Sequence, residues 1–218
     1  MEELNTLQQV TIWILPVLFA ITVHEVAHGW VAFKLGDDTA YRLGRITLNP
    51  MSHIDLIGTV LLPLLLLVTT GFVFGWAKPV PVNFNRLRQA RRDMALVALA
   101  GPGANLLMAI FWTIIIKFGL LLIDTFPVAV FLIYMGYAGI LINAILMILN
   151  LLPILPLDGG RVLHSALPPS LAESFGRLEP FGLIVLIVLL LTGILGDVLL
   201  PIINFMSKQL LWFVGFAA

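Results

Sequence analysis

The sequence contains no cysteine among its 218 residues, and only 11% of the residues are charged. The absence of cysteine excludes a disulfide framework, a thiolate nucleophile and any metal site with cysteine ligands. Soluble domains carry about 25% charged residues, so a chain with so little charge and 60% hydrophobic residues is not a soluble globular protein. Twelve basic residues balance twelve acidic ones, which leaves no net charge to attract nucleic acid. The lipid bilayer is therefore the expected solvent.

Six apolar stretches account for most of the chain, and a membrane-spanning helix needs about 20 such residues. They lie near residues 8–34, 56–76, 94–116, 127–152, 180–196 and 198–216. They predict an all-α polytopic membrane protein with five or six transmembrane segments, forming one transmembrane domain over residues 1–218 with C-terminal helices at about 180–216. The acidic start Met1-Glu2-Glu3 is unlike the basic region of a cleaved signal peptide, so we expect the first stretch to be retained.

The basic residues predict the orientation. Eight of the twelve fall between positions 34 and 92, whereas the link at 117–126 holds only Lys117. The positive-inside rule then makes 34–93 cytoplasmic and places the N-terminus outside. Both ends of the stretch 56–76 would lie on the same side, so this stretch is either re-entrant or an ordinary sixth span that violates the rule. The sequence leaves both possibilities open.

Two links at the predicted cytoplasmic face favour short β elements. Residues 41–48 alternate between apolar and polar, which is typical of a short strand or hairpin. In the second link, Pro79 and Pro81 exclude a helix over 75–83 and favour extended chain.

The first apolar stretch contains His24-Glu25-Val26-Ala27-His28, an H-E-x-x-H pattern. Residues four apart lie on one face of a helix, so the two imidazoles can hold one zinc ion between them. Zinc lowers the pKa of a bound water to about 7, and Glu25 is placed to take its proton. Ionisable groups at membrane depth are costly and indicate function. A polar packing cluster between helices is the structural alternative.

A catalytic zinc ion usually has three protein ligands, so a third must come from elsewhere in the chain. The candidates are His53, Asp55, Asp158 and His164. Asp158 is the best placed, because it follows 33 consecutive residues, 125–157, that contain no Asp, Glu, Lys or Arg. The glycines that follow it permit close approach of the backbone.

The segment before Asp158 also predicts a special site. Pro153 and Pro156 interrupt the helix and free backbone carbonyls. The Asn150 amide then has two possible roles, which the sequence does not separate: donating a hydrogen bond to a developing oxyanion, or satisfying the freed carbonyls.

Four patterns together resemble the site-2 protease family of intramembrane zinc metalloproteases. The first is the H-E-x-x-H pattern, and the others are Asn49-Pro50-x-x-His53, Ala100-Gly101-Pro102-x-x-Asn105 and Asn150-x-x-Pro153-x-x-x-x-Asp158-Gly159. The resemblance covers about residues 20 to 165 and implies a catalytic core over about 8–165. Because 218 residues leave no room for the PDZ or CBS domains of many relatives, we expect a short form.

The resemblance implies that His24, His28 and Asp158 ligate one zinc ion per chain, with Glu25 as general base. It implies cleavage of a transmembrane or membrane-proximal segment of another protein, at a site toward the cytoplasm of what we expect to be a prokaryotic cell membrane. It also implies that substrate adds as a strand to an extended element. The matching residues are Lys78, Pro79, Val80, Pro81, Val82 and Asn83.

Two other functions compete with this interpretation. Intramembrane His, Glu and Asp also mark ion pathways, which makes a zinc-handling transporter the first alternative. A catalytically silent membrane chaperone with the same fold is the second.

Overall fold

The structure is a computed structural model that describes residues 5–61, 65 and 75–215. Helix α1, Thr6–Lys34, begins at Asn5, whose side chain accepts from the backbone of Gln8 while the Gln8 side chain accepts from the backbone of Asn5. At 29 residues α1 is ~44 Å long, more than the hydrocarbon core of a bilayer. It therefore carries the H-E-x-x-H pattern within a span, as the sequence predicts.

Three more long helices follow α1 in the chain. They are α3, Ala90–Leu122; α4, Val130–Asn150, preceded by the 3₁₀ turn Pro127–Ala129; and α8, Ile194–Trp212. The shorter helices are α2, Thr39–Arg42; α5, Asp158–Ala166; α6, Pro169–Gly176; and α7, Gly182–Leu191, which follows the 3₁₀ turn Glu179–Phe181.

Five helical segments within the described residues are long and apolar enough to cross a membrane. They are Leu7–Lys34, Ala90–Leu122, Pro127–Asn150, Pro169–Leu191 and Ile194–Trp212. The prediction of an all-α, multi-pass membrane protein is confirmed. The break between the last two segments lies at Gly193, whose φ of +80° is readily adopted only by glycine. The C-terminal span thus begins earlier than the predicted residue 198.

Helices α1, α3 and α4 pack against one another, and α5 packs against α3. The approach of α3 and α4 depends on glycine. A Cβ atom at Gly139 would lie 2.1 Å from Cγ of Trp112, and one at Gly136 would lie 2.3 Å from Cγ1 of Ile116. Close contact through small residues is the usual way for helices to associate in membranes, and here it brings the polar faces of three helices together.

The predicted short β elements are wrong for the residues that the structure describes. The alternating stretch 41–48 lies in turns: α2 is followed by Gly44 at φ +65°, and the Arg45 N–H donates back to the Ala40 carbonyl. These local hydrogen bonds replace the cross-strand bonds that alternation favours. Residues 75–83 carry no helix, in line with their prolines, and they form no strand with any part of the chain that the structure describes.

The stretch 56–76 is described only at its ends, and residues 62–64 and 66–74 lie outside the described part. Leu56–Leu61 form a π-helix. The Trp76 N–H donates to the Gly58 carbonyl at 3.0 Å, and the Thr59 hydroxyl donates to the Trp76 carbonyl at 2.8 Å. The two ends of this stretch therefore lie next to each other. They would have to do so if both flanking links were on the same side of the membrane.

Candidate metal centre

Three side chains converge where α1 meets the start of α5. The Nε2 atoms of His24 and His28 lie 3.0 Å apart, and Oδ2 of Asp158 lies 3.3 Å from the first and 3.4 Å from the second. His24 and Asp158 are buried. Among the described residues these three are the group whose ligand atoms could share one metal ion. The structure thus brings together the residues that the sequence singled out.

The protonation pattern of the two imidazoles suits a cation. Nδ1 of His28 lies 2.7 Å from the Val97 carbonyl, which only accepts hydrogen bonds, so this nitrogen carries the hydrogen. Nδ1 of His24 lies 2.6 Å from Oδ1 of Asn105, which also accepts. In the neutral rings both Nε2 atoms then present lone pairs to each other and to a carboxylate oxygen.

Asp158 supplies the clearest sign that a positive ion belongs here. Its Oδ2 is buried and has no hydrogen-bond partner. An unpaired carboxylate oxygen facing two lone pairs is unfavourable unless a cation lies among them. Tetrahedral zinc with ligand bonds of 2.0–2.1 Å separates its ligands by ~3.3 Å, close to the spacings found. The residues therefore fit zinc.

Gly101 of α3 makes room for the two histidines. A Cβ atom at this position would lie 2.4 Å from Nε2 of His28 and 2.6 Å from Nε2 of His24. Any other residue would press against the Nε2 atoms of both histidines. The structure thus places this glycine, which belongs to the Ala100-Gly101-Pro102 pattern, directly against the two histidines.

Asp158 reaches the site because the chain before it folds back tightly. It is the first residue of α5, and the two glycines after it lie against the loop 151–157. A Cβ atom at Gly159 would lie 2.1 Å from the Leu151 carbonyl oxygen, and one at Gly160 would lie 2.5 Å from the Ile154 carbonyl carbon. Because glycine occupies both positions after Asp158, the loop can pack closely enough to place the Asp158 carboxylate beside the two histidines.

The Glu25 carboxylate contacts the segment 78–83. Its Oε2 accepts a 2.6 Å hydrogen bond from the Val80 N–H. The Val80 side chain is buried against α1, where a Cβ atom at Gly29 would lie 2.9 Å from its Cγ1. The segment 78–83 therefore lies along the side of α1 that carries Glu25, the predicted general base.

Two more contacts hold this segment in place. The Lys78 N–H donates to the His53 carbonyl at 2.9 Å, and the Asn83 N–H donates to Oδ2 of Asp37 at 2.6 Å. Asp37 is fully buried. Its burial is not predictable from the sequence, because an aspartate next to Asp38 in a polar link is typical of a solvated residue.

The other family-motif positions build the loops around the site. Asn49 caps the 3₁₀ turn Pro50–Ser52 by accepting from Met51, and the buried His53 donates from Nε2 to the Thr47 carbonyl at 2.9 Å. Neither belongs to the metal-ligand group.

The remaining candidates also lie apart from the three ligands. Asp55 caps the π-helix by accepting from the backbone of Ile57 and Gly58. His164 belongs to α5 but is outside the ligand group. The Asn150 amide donates to the Leu146 carbonyl at 2.9 Å. Leu146 lies one turn back in α4 and is not one of the carbonyls freed by Pro153 and Pro156, so both roles that the sequence left open stay predictions.

Known proteins align with this chain over most of its length. The chain is 36% identical over 195 residues to the putative zinc metalloprotease YwhC of Bacillus subtilis, which covers 88% of this chain and 85% of that protein. It is 29% identical over 221 residues to the putative zinc metalloprotease Rip2 of Mycolicibacterium smegmatis, covering 99% and 79%. It is also 32% identical over 183 residues to Rip2 of Mycobacterium tuberculosis, covering 82% and 66%.

The chain belongs to the site-2 protease family. No protein-family model matches it, and no solved structure matches it. The family resemblance inferred from four short patterns is thus confirmed by relatives that align over most of the chain.

Proposed function

We propose that this chain is an intramembrane zinc metalloprotease that hydrolyses peptide bonds within or next to membrane-spanning segments of other proteins. The observation that carries the proposal is the convergence of His24, His28 and the unpaired Asp158 carboxylate inside a bundle of spanning helices. The relatives all have names of zinc metalloproteases, and nothing among them favours a transporter or a silent chaperone.

In the proposed mechanism His24, His28 and Asp158 hold one zinc ion. Zinc, when bound, supplies Lewis acidity and lowers the pKa of a water molecule. Glu25 takes a proton from the attacking water at Oε2 and then delivers it to the nitrogen of the leaving amine. Asn150 is the candidate oxyanion donor, because its Nδ2 carries two hydrogens and Leu146 accepts one of them.

Substrate docks along the segment 78–83 on the edge that carries the Val80 N–H. Alternate residues of an extended chain face opposite edges. Pro79 and Pro81 have no N–H, so the other edge offers only the Asn83 N–H, which Asp37 already accepts. The Val80 N–H currently donates to Glu25. A substrate carbonyl that accepts this hydrogen bond would release the carboxylate beside the scissile bond, so docking and activation of the base are coupled.

The orientation of the protein follows from its basic residues. With 34–93 cytoplasmic, residue 1 lies outside and the site faces the cytoplasm. Because the relatives are bacterial, we place the protein in a prokaryotic cell membrane.

The direct test is Glu25→Gln in liposomes that contain a transmembrane substrate protein. Cleavage should fall by about 10²–10⁴-fold, the usual contribution of a general acid–base group, while zinc content stays at the wild-type value. Glu173→Gln is the matched control, because Glu173 is exposed and pairs with Arg177, the residue that follows α6. Wild-type cleavage by Glu25→Gln, or purified protein without zinc, would contradict the proposal. Zinc flux across the same liposomes would favour a transporter.

A further inference from the structure

A chain of polar side chains runs from the site into the middle of the bundle. His24 of α1 contacts Asn105 of α3, and Nδ2 of Asn105 donates to Oδ1 of Asn143 of α4 at 2.9 Å. Both asparagines are completely buried. A buried amide among apolar helices is costly unless its groups are paired, and here each amide is paired on both sides.

Two backbone carbonyls determine which way both amides point. Nδ2 of Asn143 lies 2.8 Å from the Gly139 carbonyl, and Nδ2 of Asn105 lies 3.2 Å from the Ala20 carbonyl. A carbonyl only accepts, so the amide nitrogen must face it in each case. The oxygen of Asn143 then faces Asn105, and the oxygen of Asn105 faces Nδ1 of His24.

We infer that Asn143 is a positioning residue for the metal centre, which acts through Asn105 to keep the hydrogen of His24 on Nδ1 and leave Nε2 free for a cation. If Asn105 turned by 180°, its oxygen would face two acceptors, the Ala20 carbonyl and Oδ1 of Asn143. Its nitrogen would face His24 and favour a hydrogen on Nε2. Asn143 and the Ala20 carbonyl both oppose this reversal, and Asn143 can do so because its own orientation is locked by the Gly139 carbonyl.

His28 offers an internal comparison. Its Nδ1 faces the Val97 carbonyl, and a backbone carbonyl cannot be reversed. A change at Asn143 should therefore affect His24 and leave His28 as it is. Outer-shell groups that orient a ligating histidine typically contribute 10–100-fold to metal affinity. The inference rests on the proposed function only where it concerns zinc.

The first measurement needs no metal. In full-length, zinc-free protein with ¹⁵N-labelled histidine at alkaline pH, the ring nitrogen shifts report the tautomer of each histidine. We expect a hydrogen on Nδ1 for both histidines in the wild type. In Asn143→Leu, which has nearly the same volume, His24 should become a mixture while His28 is unchanged. Thr113→Val is the matched control, because Thr113 is a buried polar residue that bonds only the Ala109 carbonyl of its own helix.

A second variant separates positioning from a general structural role. Asn105→Asp presents an oxygen to His24 whichever way it turns, so Asn143 is no longer needed. Adding Asn105→Asp to Asn143→Leu should therefore return His24 to the Nδ1 tautomer. Asn105→Leu should lose this tautomer.

Zinc affinity, measured by competition with a chelator, provides the second readout. It should fall by ~10–100-fold in Asn105→Leu, fall several-fold in Asn143→Leu, and stay unchanged in Thr113→Val. An unaltered His24 tautomer in Asn143→Leu would overturn the inference, as would a defect that persists when Asn105→Asp is added. If the wild-type protein shows the predicted tautomers but binds no zinc, the proposed function fails, while the inference that Asn143 sets the His24 tautomer stands.

Discussion

The backbone N–H of Val80 donates a 2.6 Å hydrogen bond to Oε2 of Glu25. One contact thus joins the predicted general base of α1 to the extended chain that is predicted to receive substrate. In this arrangement the carboxylate is held by the protein itself, and hydrogen bonds to charged groups are among the stronger ones. We therefore expect that substrate has to compete for the Val80 N–H before Glu25 is released.

This contact predicts a difference between two variants of Glu25. The amide oxygen of Glu25→Gln can still accept from Val80, whereas Glu25→Leu cannot. Amide hydrogen exchange measured on a peptide that covers 77–83 should therefore be slow in the wild type and in Glu25→Gln, and faster in Glu25→Leu. Pro79 and Pro81 have no amide hydrogen, so few other amides contribute to the signal. Equal exchange in all three proteins would show that Glu25 does not hold the segment.

Gly101 predicts an unusual effect of a single methyl group. Gly101→Ala should lower zinc affinity by at least the ~10–100-fold that loss of an outer-shell partner costs, because the new Cβ would lie within 2.6 Å of three ring atoms of His24 and His28. Gly103→Ala is the matched control on the same helix, since a Cβ atom there meets nothing within 4 Å. Competition with a chelator measures both. Similar affinities in the two variants would remove Gly101 from the site.

The zinc content of two variants tests which aspartate is the third ligand, Asp158 or Asp55. Asp158→Ala should lose zinc on dialysis against a weak chelator, because it removes the carboxylate between the two histidines. Asp55→Ala should keep its zinc and lose only about 1 kcal/mol of stability, the usual effect of removing a helix cap. Metal analysis of the purified variants provides the measurement. Zinc loss in Asp55→Ala alone would mean that the third ligand has been misassigned.

Asp37 is expected to support substrate cleavage from outside the metal centre. Asp37→Ala leaves the Asn83 N–H and the Thr39 hydroxyl without their acceptor, which should cost about 1–3 kcal/mol. The segment 78–83 would lose one of its anchors. Cleavage should fall while zinc affinity is retained. Asp38→Ala is the control, because Asp38 pairs with Arg42 and Arg86 near the surface. A matching loss of cleavage in Asp38→Ala would argue for a general effect on the link.

Much of the fold was predictable because its causes are local. Long apolar stretches form helices in lipid wherever they occur, since every backbone group must be satisfied within the segment. The link 41–48 was predicted wrongly for a related reason. Alternation can favour a strand only if a partner strand is present, and Gly44 and the Arg45 N–H close a turn instead.

In the candidate site, too, the features that depend on local sequence could be predicted and those that depend on contacts between helices could not. His24 and His28 share a face because a helix repeats every 3.6 residues, and Asp158 stood out as a charge after a long apolar run. That these residues bind zinc stays a prediction. Asn143 could have been noticed as a lone amide within that run, but nothing in the order of residues connects it to Asn105 or to His24.

The sequence by itself determined the membrane environment, the helices and the local H-E-x-x-H geometry, because these depend on residues close together in the chain. Only the tertiary structure decided which groups face the histidines across helices. The contacts of Gly101 with both imidazoles, of Asn105 with Asn143 and of Val80 with Glu25 depend on how closely the helices and the extended chain pack. These packing distances are set by side chains far apart in sequence, and no local pattern encodes them.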